Sequence, residues 1–217
     1  MVEQRSITRP AATRRSDTAV IALHYQNDVI HADGKVALGL GQGSEGAERR
    51  EAVIRAAARL MAGARRHRVP VVHVRIAFRP DFGDVPRTCA QFRSIAKARV
   101  LADGSWGAAF HERLLPREGD TVITHNRNNA FHGPELDACL QAMGARRLVV
   151  AGVATNFSVE HTVRHAADAG YVVTVVPDAC AAGMPGAHEA SLRTLAMLAT
   201  LQKSSGVIAG FRRRGRV

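Results

Sequence analysis

The sequence predicts an α/β fold: a three-layer α/β/α sandwich around a six-stranded, mainly parallel, doubly wound sheet. Short apolar runs rich in β-branched residues alternate with amphipathic helical patterns along the chain. The runs lack polar alternation, so both faces of each strand are expected to be buried, as in parallel sheets. A length of 217 residues suits one well-buried α/β domain and is short for two.

The elements follow in order. Strand Ala19–Leu23 comes first, and Glu45–Arg66 then sets Ala52, Ile54, Ala57, Leu60 and Met61 on one stripe with arginines opposite, the pattern of an amphipathic helix. Val69–Arg75 and Thr121–Thr124 read as the next strands. Pro134–Met143 is a helix with a proline in its first turn and Gly144 closing it. Strand Leu148–Gly152 leads into helix Asn156–Ala169, which ends at Gly170. Strand Val172–Val176, helix Ala187–Gln202 and strand Gly206–Ala209 complete the series. Right-handed crossovers between such units generate helices on both sheet faces. The intervals Ala32–Gly43 and Ala77–Leu101 are irregular. Both follow strand ends, where an open α/β sheet binds its ligand, so they are candidate pocket walls.

The formal net charge is +11, but residues 1–16 carry +3 and residues 211–217 carry +4, so +7 belongs to the two ends. One folded domain is therefore expected over 17–210, between a disordered basic tail at 1–16 and a basic tail at 211–217. Without a basic stripe interleaved with aromatics on the folded part, no specific nucleic-acid binding is expected. No apolar run is long enough to span a membrane and no amino-terminal signal pattern is seen, so the expectation is a cytoplasmic protein with no membrane partner. Cys89, Cys139 and Cys180 are odd in number with no CxxC spacing, which argues against a disulfide framework or a zinc cluster.

Three segments carry a resemblance. Gly152-Val-Ala-Thr-Asn-Phe-Ser-Val-Glu-His-Thr-Val-Arg-His-Ala-Ala-Asp-Ala-Gly-Tyr171 resembles the strand-to-helix turn of the isochorismatase-like cysteine hydrolases, with Ser158 where that family keeps its nucleophilic cysteine. Ala19-Val-Ile-Ala-Leu-His-Tyr-Gln-Asn-Asp28 resembles the family's first strand and its D-x-Q-N-D ending, with His24 at the position of the general base. Asp120-Thr-Val-Ile-Thr-His-Asn-Arg-Asn-Asn-Ala-Phe131 resembles the strand ending in K-x-R-x-x-x-F, with His125 in place of the lysine. The resemblance spans roughly Asp17 to Gly206, so all three triad positions are replaced on an otherwise matching frame.

The resemblance implies a small-molecule hydrolase, with homo-oligomerisation. It also implies that the Val153–Ala154 peptide is cis and that backbone N–H groups of Ala154 and Ser158 hold a developing oxyanion. Isochorismatases proper need no covalent intermediate, which makes His24 the first candidate for acid–base work, paired with His125. Ser158 reads either as a nucleophile activated by a histidine or as a residue bonding free N–H groups at a helix start. Gln26 and Asn27 are expected to tie loops near the pocket. Arg127 and Phe131 would offer a cation and an aromatic wall, suited to a substrate that includes a carboxylate, although Arg127 equally suits an ion pair with Asp28 or Glu135.

No cofactor or metal is expected. His161 and His165 share a helix face at i, i+4 but lack a third ligand, and Ile76–Val85 contains Asp81 and Asp84 but no histidine. Three function classes remain: a non-cysteine hydrolase working through His24 and His125, a Ser-His amidase or esterase, and a silent binding scaffold.

Overall fold

Strand β1 (Thr18–Leu23) is buried at every position and lies at the centre of the sheet, where an unbroken apolar run belongs. It pairs with β2 (Val71–Ile76) on one side and β4 (Arg147–Gly152) on the other. Beyond β2 lies β3 (Thr121–His125), and beyond β4 lie β5 (Val172–Val175) and β6 (Thr200–Leu201). The order is β3-β2-β1-β4-β5-β6 and every strand pairing is parallel. This computed structural model describes residues 16–36, 40 and 43–214.

The helices are α1 (Asn27–Ile30), α2 (Gly43–Arg66), α3 (Ala90–Ala98), α4 (Glu135–Met143), α5 (Glu160–Asp168), α6 (Ala187–Leu195) and α7 (Ser204–Arg214). Helix α2 buries Val53, Ile54, Ala57, Leu60, Met61 and Ala64 against the sheet, while Ala52 is exposed. Its glycine at 63 lets α7 approach closely: a Cβ there would stand 2.7 Å from Ile208 Cγ1. Helix α4 buries Leu136, Leu140 and Met143 and stops where Gly144 takes φ 73°. It is linked to the start of β5 by Tyr171, whose hydroxyl donates to Asp137.

Four expectations are corrected. The run Val207-Ile208-Ala209 belongs to α7, not to a strand; Val207 and Phe211, four apart, are both buried, so the apolar run serves a helix face. Phe211 also shows that the fold continues past the boundary expected at 210, with α7 running to Arg214. Helix α6 ends at Leu195 and the last strand is the short β6, which leaves Met197 85% exposed in the turn between them. The interval Ala77–Leu101 contains α3, which buries Phe92 and Ile95 in a small second core with Phe78, Phe82 and Leu101. The expected amino-terminal tail lies outside the described residues except for Ser16, as do residues 215–217 of the other tail.

The register aligns four strand ends. Leu23 pairs with both Val74 and Gly152, and Ile76 pairs with His125, so the carboxyl ends of β1, β4, β2 and β3 share one edge. The order of the strands reverses between β1 and β4, the switch point at which doubly wound sheets open a crevice.

Candidate active site

His24 directly follows β1, His125 ends β3, and Ser158 lies in a π-helical turn, Thr155–Val159, between β4 and α5. His24 adopts φ 54°, a left-handed conformation uncommon for a residue with a side chain. The chain bends back at once, with the Gln26 N–H donating to the His24 carbonyl at 2.7 Å. All three side chains are buried, with residual exposures of 2%, 4% and 4% for His24, His125 and Ser158.

They form a continuous chain of hydrogen bonds. Ser158 Oγ is 2.8 Å from His24 Nδ1, His24 Nε2 is 2.6 Å from His125 Nε2, and His125 Nδ1 is 3.1 Å from the Asn129 carbonyl. A carbonyl only accepts, so His125 Nδ1 carries a proton and the Nε2 of a neutral His125 ring is an acceptor. His24 must then be protonated on Nε2, which leaves its Nδ1 as the acceptor for the Ser158 hydroxyl. One arrangement satisfies every atom. Burial holds the His24 pKa well below its ordinary value, and the adjacent His125 lowers it further, so His24 is a neutral base near neutral pH.

Ser158 does not cap the helix start; its hydroxyl is committed to His24. The Val153–Ala154 peptide is cis, as the resemblance implies. The Thr155 N–H donates to Ala181, but among the described residues no carbonyl accepts from the Ala154 N–H. Ala154 and Ser158 line the same cleft.

The other strand-one residues are architectural. Gln26 is fully buried; its Nε2 donates to the Ile76 and Ala108 carbonyls and its Oε1 accepts from the Ile76 N–H, which locks β1 to the end of β2 and to the 101–111 segment. Asn27 donates to the Trp106 carbonyl. The Asp28 carboxylate accepts from the Leu101 and Lys35 N–H groups. Gln26 and Asn27 therefore shape the pocket rather than line it.

Arg127 and Phe131 depart from expectation. The Arg127 guanidinium donates to the Asn126 carbonyl at 2.7 Å and lies over the Phe92 ring, 6.0 Å from its centroid. Phe131 stacks on His165 with centroids 4.5 Å apart and packs into the main core. Neither side chain lines the cleft that contains His24 and Ser158.

That cleft is shallow, with an enclosed volume of about 30 Å³ that opens to solvent, and its remaining walls come from Val29 of α1, Val36, Ile76 at the end of β2, Gln91 and Ile95 of α3, Leu101, Asn128 and the Val153 and Phe157 side chains. Sequence reasoning missed Gln91, Asn128 and Asn129. Gln91 sits on an interval read as irregular, Asn128 lies inside the third resembling segment at a position to which that motif assigns no residue, and Asn129 acts through its backbone, which no side-chain pattern reveals. Cys180 lines a different cleft with His188 and Met184, and burial pushes its thiol up to about 12. His161 is bonded to the Phe157 carbonyl and His165 to Asn129. Among the described residues no group of three His, Cys, Asp or Glu side chains could hold a metal ion, and no helix is long and apolar enough to cross a membrane.

A hydroxyl, an imidazole bonded to it and a second imidazole behind that one are set at the switch point of a parallel sheet, where open α/β sheets place their ligand sites. The Isochorismatase domain family matches residues 18–205, and the chain belongs to that family of hydrolases. A ureidoacrylate amidohydrolase, RutB, from Methylorubrum extorquens is 33% identical over 156 residues, a match covering 66% of this chain and 63% of that protein. The aligned region thus spans less than two thirds of that relative. A cysteine hydrolase from Pseudomonas syringae pv. phaseolicola superposes with a TM-score of 0.81 at 22% identity, over 98% of this chain and 99% of that one, a likeness of fold. The N-carbamoylsarcosine amidase from Thermoplasma acidophilum has a TM-score of 0.68 at 25% identity, over 87% of this chain and 97% of its own.

Proposed function

We propose that the protein hydrolyses a carbonyl C–N bond of a small molecule, with Ser158 as nucleophile, His24 as its base and His125 as the residue that positions His24. The observation that carries this reading is the 2.8 Å hydrogen bond from Ser158 Oγ to His24 Nδ1, within the reach of nucleophile activation. The names of two relatives, an amidohydrolase and an amidase, favour an amide-type bond over an ester.

As Ser158 Oγ attacks the carbonyl carbon, its proton passes to His24 Nδ1. The His24 cation keeps its Nε2–H on the neutral His125 acceptor, and the new oxyanion takes the Ala154 N–H. The C–N bond then breaks while His24 Nδ1–H protonates the departing nitrogen. Water, giving a proton to His24 Nδ1, attacks the acyl group on Ser158; the ester C–O bond then breaks as His24 returns that proton to Ser158 Oγ, which releases the acid and restores both the hydroxyl and the neutral imidazole.

The alternative in which His24 acts first as an acid without a covalent intermediate is less well supported. A buried imidazole with a lowered pKa has no proton to give near neutral pH. A serine-directed fluorophosphonate followed by peptide mass spectrometry tests the proposal. It is expected to label Ser158 in the native chain and to label it slowly in His24→Ala; an unmodified Ser158 would reject the nucleophile assignment and leave the scaffold reading ahead.

A further inference from the structure

The walls of the cleft around Ser158 are largely aliphatic. Val29, Val36, Ile76, Ile95, Leu101 and Val153 face it together with the Phe157 ring, and among the described residues none of the side chains lining it is a carboxylate, an ammonium or a guanidinium. The cation that the sequence offered, Arg127, is turned onto the Asn126 carbonyl and the Phe92 ring.

Apart from His24 and Ser158, the polar side chains of the cleft are Gln91 from α3 and Asn128 from the segment after β3. They bond each other reciprocally: Asn128 Nδ2 donates to Gln91 Oε1 at 2.8 Å, and Gln91 Nε2 donates to Asn128 Oδ1 at 3.2 Å. In such a pair each amide retains one N–H and one carbonyl lone pair for a further partner. The pair bears no net charge, so it can read a neutral amide or ureido group but cannot neutralise an anion.

We infer that the cleft selects an uncharged substrate with a short aliphatic acyl group, and that the Gln91–Asn128 pair is its specificity-determining polar element. This rests on the reading of Ser158 and His24 as the reacting centre, and it names the substrate class of that same site. A carboxylate entering this cleft would lose water and find no cation in return, a penalty a neutral chain does not meet. Discrimination by unpaired buried polarity is the strong kind, whereas apolar walls alone separate homologues only weakly.

Binding by the full-length Ser158→Ala protein, which needs no nucleophile, isolates the inference from the mechanism. Titrations followed by NMR with butyramide and with succinamate, chains of equal length differing in a terminal carboxylate, are expected to give a Kd at least about tenfold lower for butyramide. Gln91→Arg in the same background places a guanidinium at the pair and is expected to narrow or reverse that ratio. Equal affinity, tighter succinamate binding, or binding of neither compound would overturn the inference. Fluorophosphonate labelling of native Ser158 reports separately on the nucleophile, so a neutral preference without labelling would sink the mechanism alone, and labelling without the preference would sink the substrate class alone.

Discussion

His24 Nε2 and His125 Nε2 stand 2.6 Å apart, a separation that requires one shared proton between them. Two lone pairs or two N–H groups facing each other at that distance would repel. The Asn129 carbonyl settles the direction by claiming the far nitrogen of His125, so the pair is polarised toward Ser158 before any substrate arrives. A neutral imidazole takes the place that a carboxylate holds in the familiar serine triad. It fixes the tautomer as well as an aspartate would but stabilises the imidazolium less.

Ser158 and His24 are expected to fail together. If they act as one unit, Ser158→Ala and His24→Ala should each lower kcat by about 10²–10⁴-fold, and the double variant should be no worse than the poorer single one. This reverses the sequence-based expectation that His24 would matter far more than Ser158, because the hydroxyl is bonded to the ring and not to a helix end. A full further loss in the double variant, measured by steady-state kinetics, would show that the two act independently.

The acid limb of the pH profile should lie low. Burial, aided by His125, depresses the His24 pKa, so kcat/KM is expected to stay level as pH falls through about 6.5 and to drop only at more acidic pH. Stability follows the same sign. The unfolded chain binds the His24 proton first, so folding free energy is lost as pH falls from about 6.5 toward the folded value. Asp120 adds a second loss: burial alone would raise its pKa, but hydrogen bonds from His73 and Arg65 outweigh that and hold it at about 2. Its contribution is present above about 3.9 and disappears on acidification toward about 2. Thermal melts across the acid range check both; a protein that gains stability below pH 6 would contradict the His24 assignment.

The fold was legible because burial on both faces writes itself into sequence as apolar runs, most plainly in β1 and β4; β2 carries the same signal around His73 and Arg75, while β5 is a β-branched run with Val172 left exposed. Strand β6 was not, since two residues carry no period, and α7 was misread because Val207-Ile208-Ala209 is too short to separate strand from helix. At the site, His24, His125 and Ser158 were singled out by the resemblance of their three segments to the family's motifs, and the structure brings them together. Arg127 and Phe131 had the right spacing, yet side-chain direction sent one to a neighbouring carbonyl and the other under His165. Spacing places a Cα atom; packing decides where its side chain goes.

Gly107 is expected to tolerate no side chain. A Cβ there would lie 2.0 Å from Asp28 Oδ2, the carboxylate oxygen that accepts the Leu101 N–H and so holds the segment over the cleft. Overpacking of this sort destabilises by about 1–3 kcal/mol, so at about 2–4 °C per kcal/mol for a domain of this size Gly107→Ala should lower Tm by roughly 2–12 °C. An unchanged melt by calorimetry would mean the Asp28 side chain moves freely and does not fix the loop.

Thiol chemistry should leave turnover intact. The Cys180 thiol is buried and its pKa is raised to about 12, so little thiolate exists near neutral pH, while Cys89 is exposed. Iodoacetamide is expected to label Cys89 first, and Cys180→Ser should retain activity within about threefold, a change in the range of ordinary repacking rather than the loss of a nucleophile. Loss of all turnover in Cys180→Ser would move the nucleophile away from Ser158.

His125 is best tested by separating position from chemistry. It does not line the cleft, so its removal should leave KM nearly unchanged while kcat falls. In His125→Ala the His24 Nε2–H loses its acceptor, and the ring is free to adopt the tautomer that presents Nδ1–H to Ser158, which cannot take the serine proton. A loss of about 10²–10⁴-fold in kcat is therefore expected, the scale seen when the orienting member of a triad is disabled. His125→Gln restores a carbonyl acceptor on a neutral side chain and should recover part of that loss. The imidazole proton of His24, followed by NMR, supplies the readout that a merely structural role would leave alone: a downfield Nε2–H resonance is expected in the native chain and in His125→Gln, and should vanish in His125→Ala. If kcat survives in His125→Ala, or if His125→Gln is as impaired as His125→Ala with its fold intact, His125 does not position His24 and the relay ends at the first imidazole.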